Sequence, residues 1–334
     1  MKRHHMYGAA ICVATWTAFA QKLPPVTVDA ALVNGALYVS DNADYTKFGT
    51  LPGPVAATPA PNGLSNPNFA TYLEISDVVS VNGQPMKGTF LNQGRLLQLS
   101  PSPRPGQAIS DSNWFTIGTQ GIDFITPDGI RVGTIYTSGF AIAAPPPGSP
   151  AGYYAVAAAV QGGTGAYVGA TGQCLIANVG ARTASITEDP ANRRSLGGQP
   201  EPAIRHNVCQ VTPAFRPEIE AVYHADFTPV TAAKPARKGE TLIALCTGLG
   251  PTRPGVDPGQ PFLPIAQGAH LVNSPVYVTV NGASATVVNA LGWPGLVEAY
   301  RVDFQLPAGT ASGQAAAQLT AAWIPGHLIN IPVQ

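Results

Sequence analysis

Apolar and polar residues alternate along much of this chain, in short runs separated by turn residues. Tyr300, Val302, Phe304 and Leu306 interleave with Arg301, Asp303 and Gln305. Successive side chains of a strand point to opposite faces, so this stretch predicts a strand with one buried and one wet face. Val276 to Val280, then Asn281-Gly282, then Ala283 to Val288 predict a hairpin. Asn-Gly tolerates positive φ at both central turn positions, which matches the strand twist. Further strands are expected over Tyr72–Val79, Arg95–Leu99, Trp114–Ile117, Ile122–Ile125, Val132–Phe140, Tyr153–Val160 and Cys174–Val179. Pro127-Asp128-Gly129 reads as a turn between two of them. Val28 to Ser40 reads as a strand pair turning at Asn34-Gly35. Glu240–Leu245, Ala315–Ile324 and Leu328–Val333 extend the series. Long amphipathic helical patterns are scarce. Strands at this spacing predict an all-β barrel or sandwich rather than βαβ units.

Composition narrows the function classes. Of 334 residues, 45% are hydrophobic and 11% charged, with Lys+Arg and Asp+Glu both at 18. A neutral chain argues against tracking a phosphate backbone, so no nucleic-acid partner is expected. Lys2 and Arg3 precede an apolar run from Met6 to Ala18, and Ala18-Phe19-Ala20 supplies small residues for cleavage. This is the pattern of a secretory leader cut after Ala20, leaving an extracytoplasmic protein with no membrane span. Three cysteines remain, Cys174, Cys209 and Cys246. Export permits one disulfide, and the sequence does not choose the pair. The preferred pair is Cys174–Cys209, tying the junction of two domains to the first. Glu188 to Val208 is polar and reads as loop and connector, with a boundary near residue 210.

The C-terminal third resembles a known family. The pieces are Gly239-Glu240-Thr241-Leu242 before Thr247-Gly248-Leu249-Gly250-Pro251, the hairpin Val278 to Ala285, and Tyr300 to Pro307. In this order, with Gly292-Trp293-Pro294-Gly295-Leu296 before the last, residues 217–334 resemble the Solibacter uncharacterised C-terminal domain of secreted bacterial proteins. The resemblance implies an Ig-like accessory domain and no catalytic residues. About seven strands in roughly 115 residues also fits an Ig-like sandwich. Gln161 to Gly172, rich in glycine and flanked by apolar strands, looks like the hairpin of allene oxide cyclase and dirigent β-barrels. That likeness covers residues 69–185 and implies a barrel, but the plant enzymes' catalytic residues have no counterpart here. The expected fold is therefore an N-terminal allene-oxide-cyclase/dirigent-like β-barrel followed by a C-terminal Ig-like β-sandwich. Its divisions are a leader (1–20), an extension or linker (21–66), the barrel (67–208) and the sandwich (209–334).

Catalytic constellations are sparse. There is no G-x-S-x-G, no H-E-x-x-H and no G-x-G-x-x-G, and His206-x-x-Cys209 lacks a second ligand pair. No metal and no cofactor are expected, and each mature histidine reads as a surface or loop residue. Glu74 and Asp77 fall on opposite faces of one strand, so one of them faces the barrel interior. An inward carboxylate among Tyr72, Phe90, Phe124 and Tyr136 would have a raised pKa. Tyr72, Glu74, Asp77, Phe124 and Tyr136 are the candidate ligand-binding residues of that interior. The expected role is non-catalytic binding of a small hydrophobic ligand, a glycan or a protein. A cofactor-free isomerase or cyclase and a structural or adhesion protein are the alternatives.

Overall fold

The computed structural model describes residues 23–41, 69–98, 114–142, 156–177 and 204–334. Of the strand ends 36–41, 69–72, 96–98, 114–116, 140–142, 156–157 and 176–177 it describes the backbone alone. The chain is all-β. Nine strands come first: β1 (Val26–Asp41), β2 (Phe69–Val81), β3 (Gln84–Pro85), β4 (Thr89–Gln98), β5 (Trp114–Ile125), β6 (Arg131–Ile142), β7 (Val156–Gly165), β8 (Thr171–Ala177) and β9 (Arg205–Thr212). Apart from the two-residue β3, each pairs antiparallel with the next, and β9 returns to β1, closing an eight-stranded barrel. Closure leaves these strands without an exposed edge.

Two segments differ from the sequence expectation. The stretch taken as an extension or linker contains β1, which pairs with β2 on one side and β9 on the other. Asn34-Gly35 does not turn it into a hairpin; the strand runs through with register shifts, and Asn34 sits at φ 55°. An αL residue serves a bulge as well as a turn, so Asn-Gly alone does not separate the two. The polar connector likewise ends in β9, whose Arg205, Asn207, Cys209 and Val211 are buried in strict alternation. The last barrel strand therefore runs to Thr212. Trp114–Ile125 is one strand rather than two.

Cys174 and Cys209 are bonded, as preferred, but they join β8 to β9 at directly opposed positions inside the barrel. Cys246 is free and buried, and burial pushes its thiol pKa up.

Nine further strands follow: β10 (Glu218–Tyr223), β11 (Thr241–Thr247), β12 (Thr252–Arg253), β13 (Leu271–Val272), β14 (Val276–Val280), β15 (Ala283–Gly292), β16 (Ala299–Gln305), β17 (Gly313–Ala321) and β18 (Ile324–Val333). Their sheet runs β10-β11-β16-β15-β14-β17-β18 and nearly closes. At the gap Glu218 of β10 takes hydrogen bonds from the His327 backbone N–H (3.1 Å) and pairs with its Nδ1 (2.7 Å). Asn281 (φ 52°) and Gly282 (φ 79°) make the expected hairpin turn. Tyr300, Val302, Phe304 and Leu306 are buried as their alternation requires. Asp303 is buried too, held by Arg301 at 2.8 Å and Asn289 at 2.9 Å.

Each sheet has its own core, and a turn of the second joins that of the first. The β17–β18 turn, Ala322-Trp323, enters one end of the barrel, where both residues join a buried cluster with Phe124, Tyr167, Val132 and Ile324. The Trp323 ring lies 5.8 Å from that of Phe124, edge-on, and Tyr167 Oη donates to the Ala322 carbonyl at 3.2 Å. Arg216, between β9 and β10, clasps both sides: Nη2 donates to Pro24 O at 2.6 Å and Nη1 to Pro325 O at 3.1 Å. The glycine-rich segment supplies the matching shape. A Cβ on Gly163 or Gly165 would lie 2.2–2.3 Å from a backbone oxygen of β6, so only glycine lets the two strands close this tightly. The chain then turns back at residues 166–169 and tucks Tyr167 into the barrel floor.

Candidate functional site

The barrel lumen has two layers. Toward the plugged end it is apolar: Val28, Ala30, Leu32, Val78, Phe90, Ile122, Phe124, Ile135 and Val160 are buried around the disulfide. Above them lies a polar layer of Glu74, Ser76, Asn92, Gln120, Thr137, Arg205 and Asn207, all nine-tenths or more buried. Arg205 Nη1 donates to Glu74 Oε1, and Nη2 donates to Ser76 Oγ at 2.6 Å. Asn92 Nδ2 donates to Glu74 Oε2 at 3.1 Å, so both carboxylate oxygens are engaged. Thr137 Oγ1 donates to Gln120 Oε1 at 3.2 Å. Asn207 Nδ2 is buried without a partner among the described residues.

Arg205 belongs to β9 and Glu74 to β2, with β1 between them. The guanidinium crosses that strand over Gly35, where a Cβ would stand 2.7 Å from Arg205 Nη2. A side chain at residue 35 would make the guanidinium shift, and the ion pair is what makes a buried carboxylate tolerable.

The five candidate residues do not form one site. Glu74 is the inward carboxylate and Phe124 is buried, but Phe124 packs at the plugged end against Tyr167 and Trp323. Asp77 points outward, as its parity with Glu74 demands, and accepts a hydrogen bond from Asn34 Nδ2 at 2.7 Å. Tyr136 is also outside the lumen, 46% exposed, because its neighbours Ile135 and Thr137 take the inward positions while β7 skips Gln161. The Tyr72 side chain lies outside the described residues, as do the leader and residues 188–203 of the polar connector. Alternation along β9 was the available signal for Arg205; its charge suggested a loop instead.

A hollow is bounded by residues of β4 to β8. It encloses about 1070 Å³. By strand alternation Gly94, Gly118, Gly139, Ala158 and Gly172 of its lining hold inward positions, and Gln93, Arg95, Ile117, Thr119, Ser138 and Gln173 hold outward ones. Pairing registers set Gln93, Thr119, Ser138, Ala159 and Gln173 in one row across five strands.

A second hollow, of about 530 Å³, sits beside β10 and holds His224, Asp226, Lys234, Arg237 and Glu240. His224 lies in the loop after β10, in keeping with the surface-or-loop expectation, but is buried there. Its Nδ1 lies 2.6 Å from Glu240 Oε1 and its Nε2 lies 3.1 Å from the Lys234 carbonyl. His270 is buried as well, with Nδ1 2.7 Å from Pro254 O. Lys234 pairs with Asp226 at 3.2 Å. The Thr228 hydroxyl and backbone N–H, with Lys234, hold the Asp226 pKa well below the usual carboxylate range. Burial pushes Glu240 up, but the Arg237 N–H and the His224 ring outweigh it and leave its pKa below the ordinary 4.5. A lowered folded-state pKa gives stability that is full above the unfolded value and is lost as pH falls through the folded one. The destabilisation caused by Glu240→Gln is therefore expected to shrink steadily below about pH 4.5. Urea denaturation of both proteins from pH 7 to pH 3 checks this; a constant difference would exclude it. Among the described residues there is no group of three or more His, Cys, Asp or Glu placed to hold a metal ion, and no helix is long and apolar enough to cross a membrane.

No family model, curated protein or solved structure matches this chain.

Proposed function

We propose that this is an exported, non-catalytic binding or accessory protein, built from an allene-oxide-cyclase/dirigent-like barrel and an Ig-like sandwich. The observation that carries the reading is the state of the lumen. Lumen chemistry of the isomerase or cyclase kind needs room for substrate and an acid or base free to act. Here the apolar layer is filled by packed side chains, and the single inward carboxylate of the polar layer, Glu74, has both oxygens engaged. The disulfide suits an oxidising compartment, in keeping with the leader-like start. Barrel closure removes the first sheet from strand addition, which needs an open edge.

The test uses the purified mature chain and an unsaturated fatty-acid epoxide as probe substrate. Recovery of the epoxide at the buffer-only rate is expected, with no cyclised product by chromatography. Product formation that disappears in Glu74→Gln would overturn the non-catalytic reading.

A further inference from the structure

We infer that the aromatic cluster of Tyr223, Phe227 and Trp293, on the outer face of the second sheet, is a binding site for a neutral soluble carbohydrate. The inference rests on the non-catalytic binding reading and names its ligand class.

Three segments assemble the cluster. Tyr223 ends β10, Phe227 lies in the loop after it, and Trp293 follows β15. The Trp293 ring stands 6.3 Å from that of Tyr223 and 6.2 Å from that of Phe227, tilted by 63° and 67°. The rings meet on the side away from the core. Val302 and Phe304 of β16 belong to the core, so Arg301 and Asp303 between them hold outward positions. The Arg301 guanidinium lies 5.4 Å from the centre of the Phe227 ring, which sets that ring over the same outward face.

The first support is that Phe227 is held out in water at a cost. It is 52% exposed, and its backbone sits at φ 61°, where a bulky residue is strained. Burial does not repay that strain, since half of the side chain stays wet. Strain of this kind gathers at ligand-binding positions. The loop is closed on itself: the Phe227 N–H donates to His224 O at 2.9 Å, the His224 N–H to Thr228 O at 2.9 Å, and the Thr228 N–H to Asp226 Oδ1 at 3.0 Å. The Trp293 N–H is fixed as well, on Ala299 O at 2.8 Å. Rings anchored in this way offer apolar faces with little freedom left to lose on binding. The C–H face of a sugar is an apolar surface of matching size.

The second support is charge. Arg301 donates to Asp303 through Nε and Nη2, both at 2.8 Å, and Asp226 beside Phe227 is paired with Lys234. An ionic ligand would have to compete with these pairs, whereas a neutral one leaves them intact.

The third support is what stays open. Among the described residues Tyr223 Oη and Arg301 Nη1 make no hydrogen bond, and neither is shut away from solvent. The hydroxyl both donates and accepts, and the guanidinium donates. Ring faces flanked by such groups suit a ligand that carries apolar faces and hydroxyls together. The tilted rings form a notch rather than a flat platform. A notch takes a free chain or its end, not the flat surface of a crystalline polymer.

The experiment is calorimetric titration of the full mature chain with cellotriose, mannotriose and chitotriose. Trigalacturonate is the anionic control and decaproline the peptide control, since aromatic grooves also dock proline-rich segments. Saturable binding of at least one neutral trisaccharide is expected, with both controls at least tenfold weaker. Phe227→Gly suits the left-handed backbone and removes the ring, so it is expected to stay folded and to weaken binding about tenfold or more. Tyr223→Phe removes only the open hydroxyl and is expected to weaken binding about threefold. Circular dichroism verifies the fold of both variants. Absence of heat with every neutral trisaccharide up to about 10 mM would overturn the inference. So would full-strength binding by Phe227→Gly, or either control binding as tightly as the best neutral sugar. Epoxide turnover would overturn the non-catalytic reading separately, so the two failures are distinguishable.

Discussion

Replacing Trp323 with alanine is expected to destabilise the protein by about 3–5 kcal/mol, the range for deleting a large buried aromatic. The indole is 7% exposed and fills the barrel end against Phe124. Its loss would leave a cavity where the second sheet's turn enters the barrel core, and would loosen the turn whose carbonyl accepts from Tyr167. Scanning calorimetry should show the barrel unfolding at lower temperature than the second sheet, as two resolved transitions. Trp323→Gly separates packing from backbone strain. Ala322 (φ 48°) and Trp323 (φ 63°) both occupy the left-handed region, where glycine is at ease and a bulky residue is strained. If strain dominated, Trp323→Gly would stabilise the protein. The packing argument requires it to be as harmful as Trp323→Ala.

Glu74→Ala is expected to cost about 3–5 kcal/mol, because it strands a buried guanidinium without its counter-ion. Arg205 has 6% side-chain exposure and cannot turn to water without unpacking the barrel. The double variant Glu74→Leu, Arg205→Met should recover most of that loss, since replacing both ions removes the desolvation cost together with the attraction. Urea denaturation of the single and double variants measures the coupling. A single variant within about 0.5 kcal/mol of the parent protein would show that solvent reaches the pair.

The all-β class, the Asn281-Gly282 hairpin and the alternating strand at Tyr300 were legible in the sequence, because each depends on local periodicity; the cysteine pair was a preference among three that the sequence did not choose. What was not legible depends on distant segments. Asn34-Gly35 looks the same in a turn and in a bulge; here β9, folding alongside, keeps the strand straight. Arg205 looks like solvent-exposed charge until Glu74 is placed opposite it. Ala322-Trp323 carries no turn signal at all, and its conformation is held by the barrel floor it enters. The candidate site suffered most. Alternation required one of Glu74 and Asp77 to face inward but could not choose between them without knowing which residues faced the core, so Asp77 and Tyr136 were grouped with Glu74. The meeting of Tyr223, Phe227 and Trp293 joins separate segments and is invisible along any single one.

The turn that enters the barrel also bears on the order in which the chain acquires its structure. Tyr167 and the Ala322 carbonyl that it meets are 155 residues apart. Segments emerge N-terminus first, whether from the ribosome or across a membrane. The barrel strands are therefore complete well before the turn that seals them is available. During that interval Phe124 and Tyr167 line an uncovered apolar mouth, a surface that holdase chaperones bind and that invites self-association. The second sheet is thus a late-arriving stopper for the first, and a nascent chain halted before β17 would be expected to aggregate rather than to yield a stable isolated barrel.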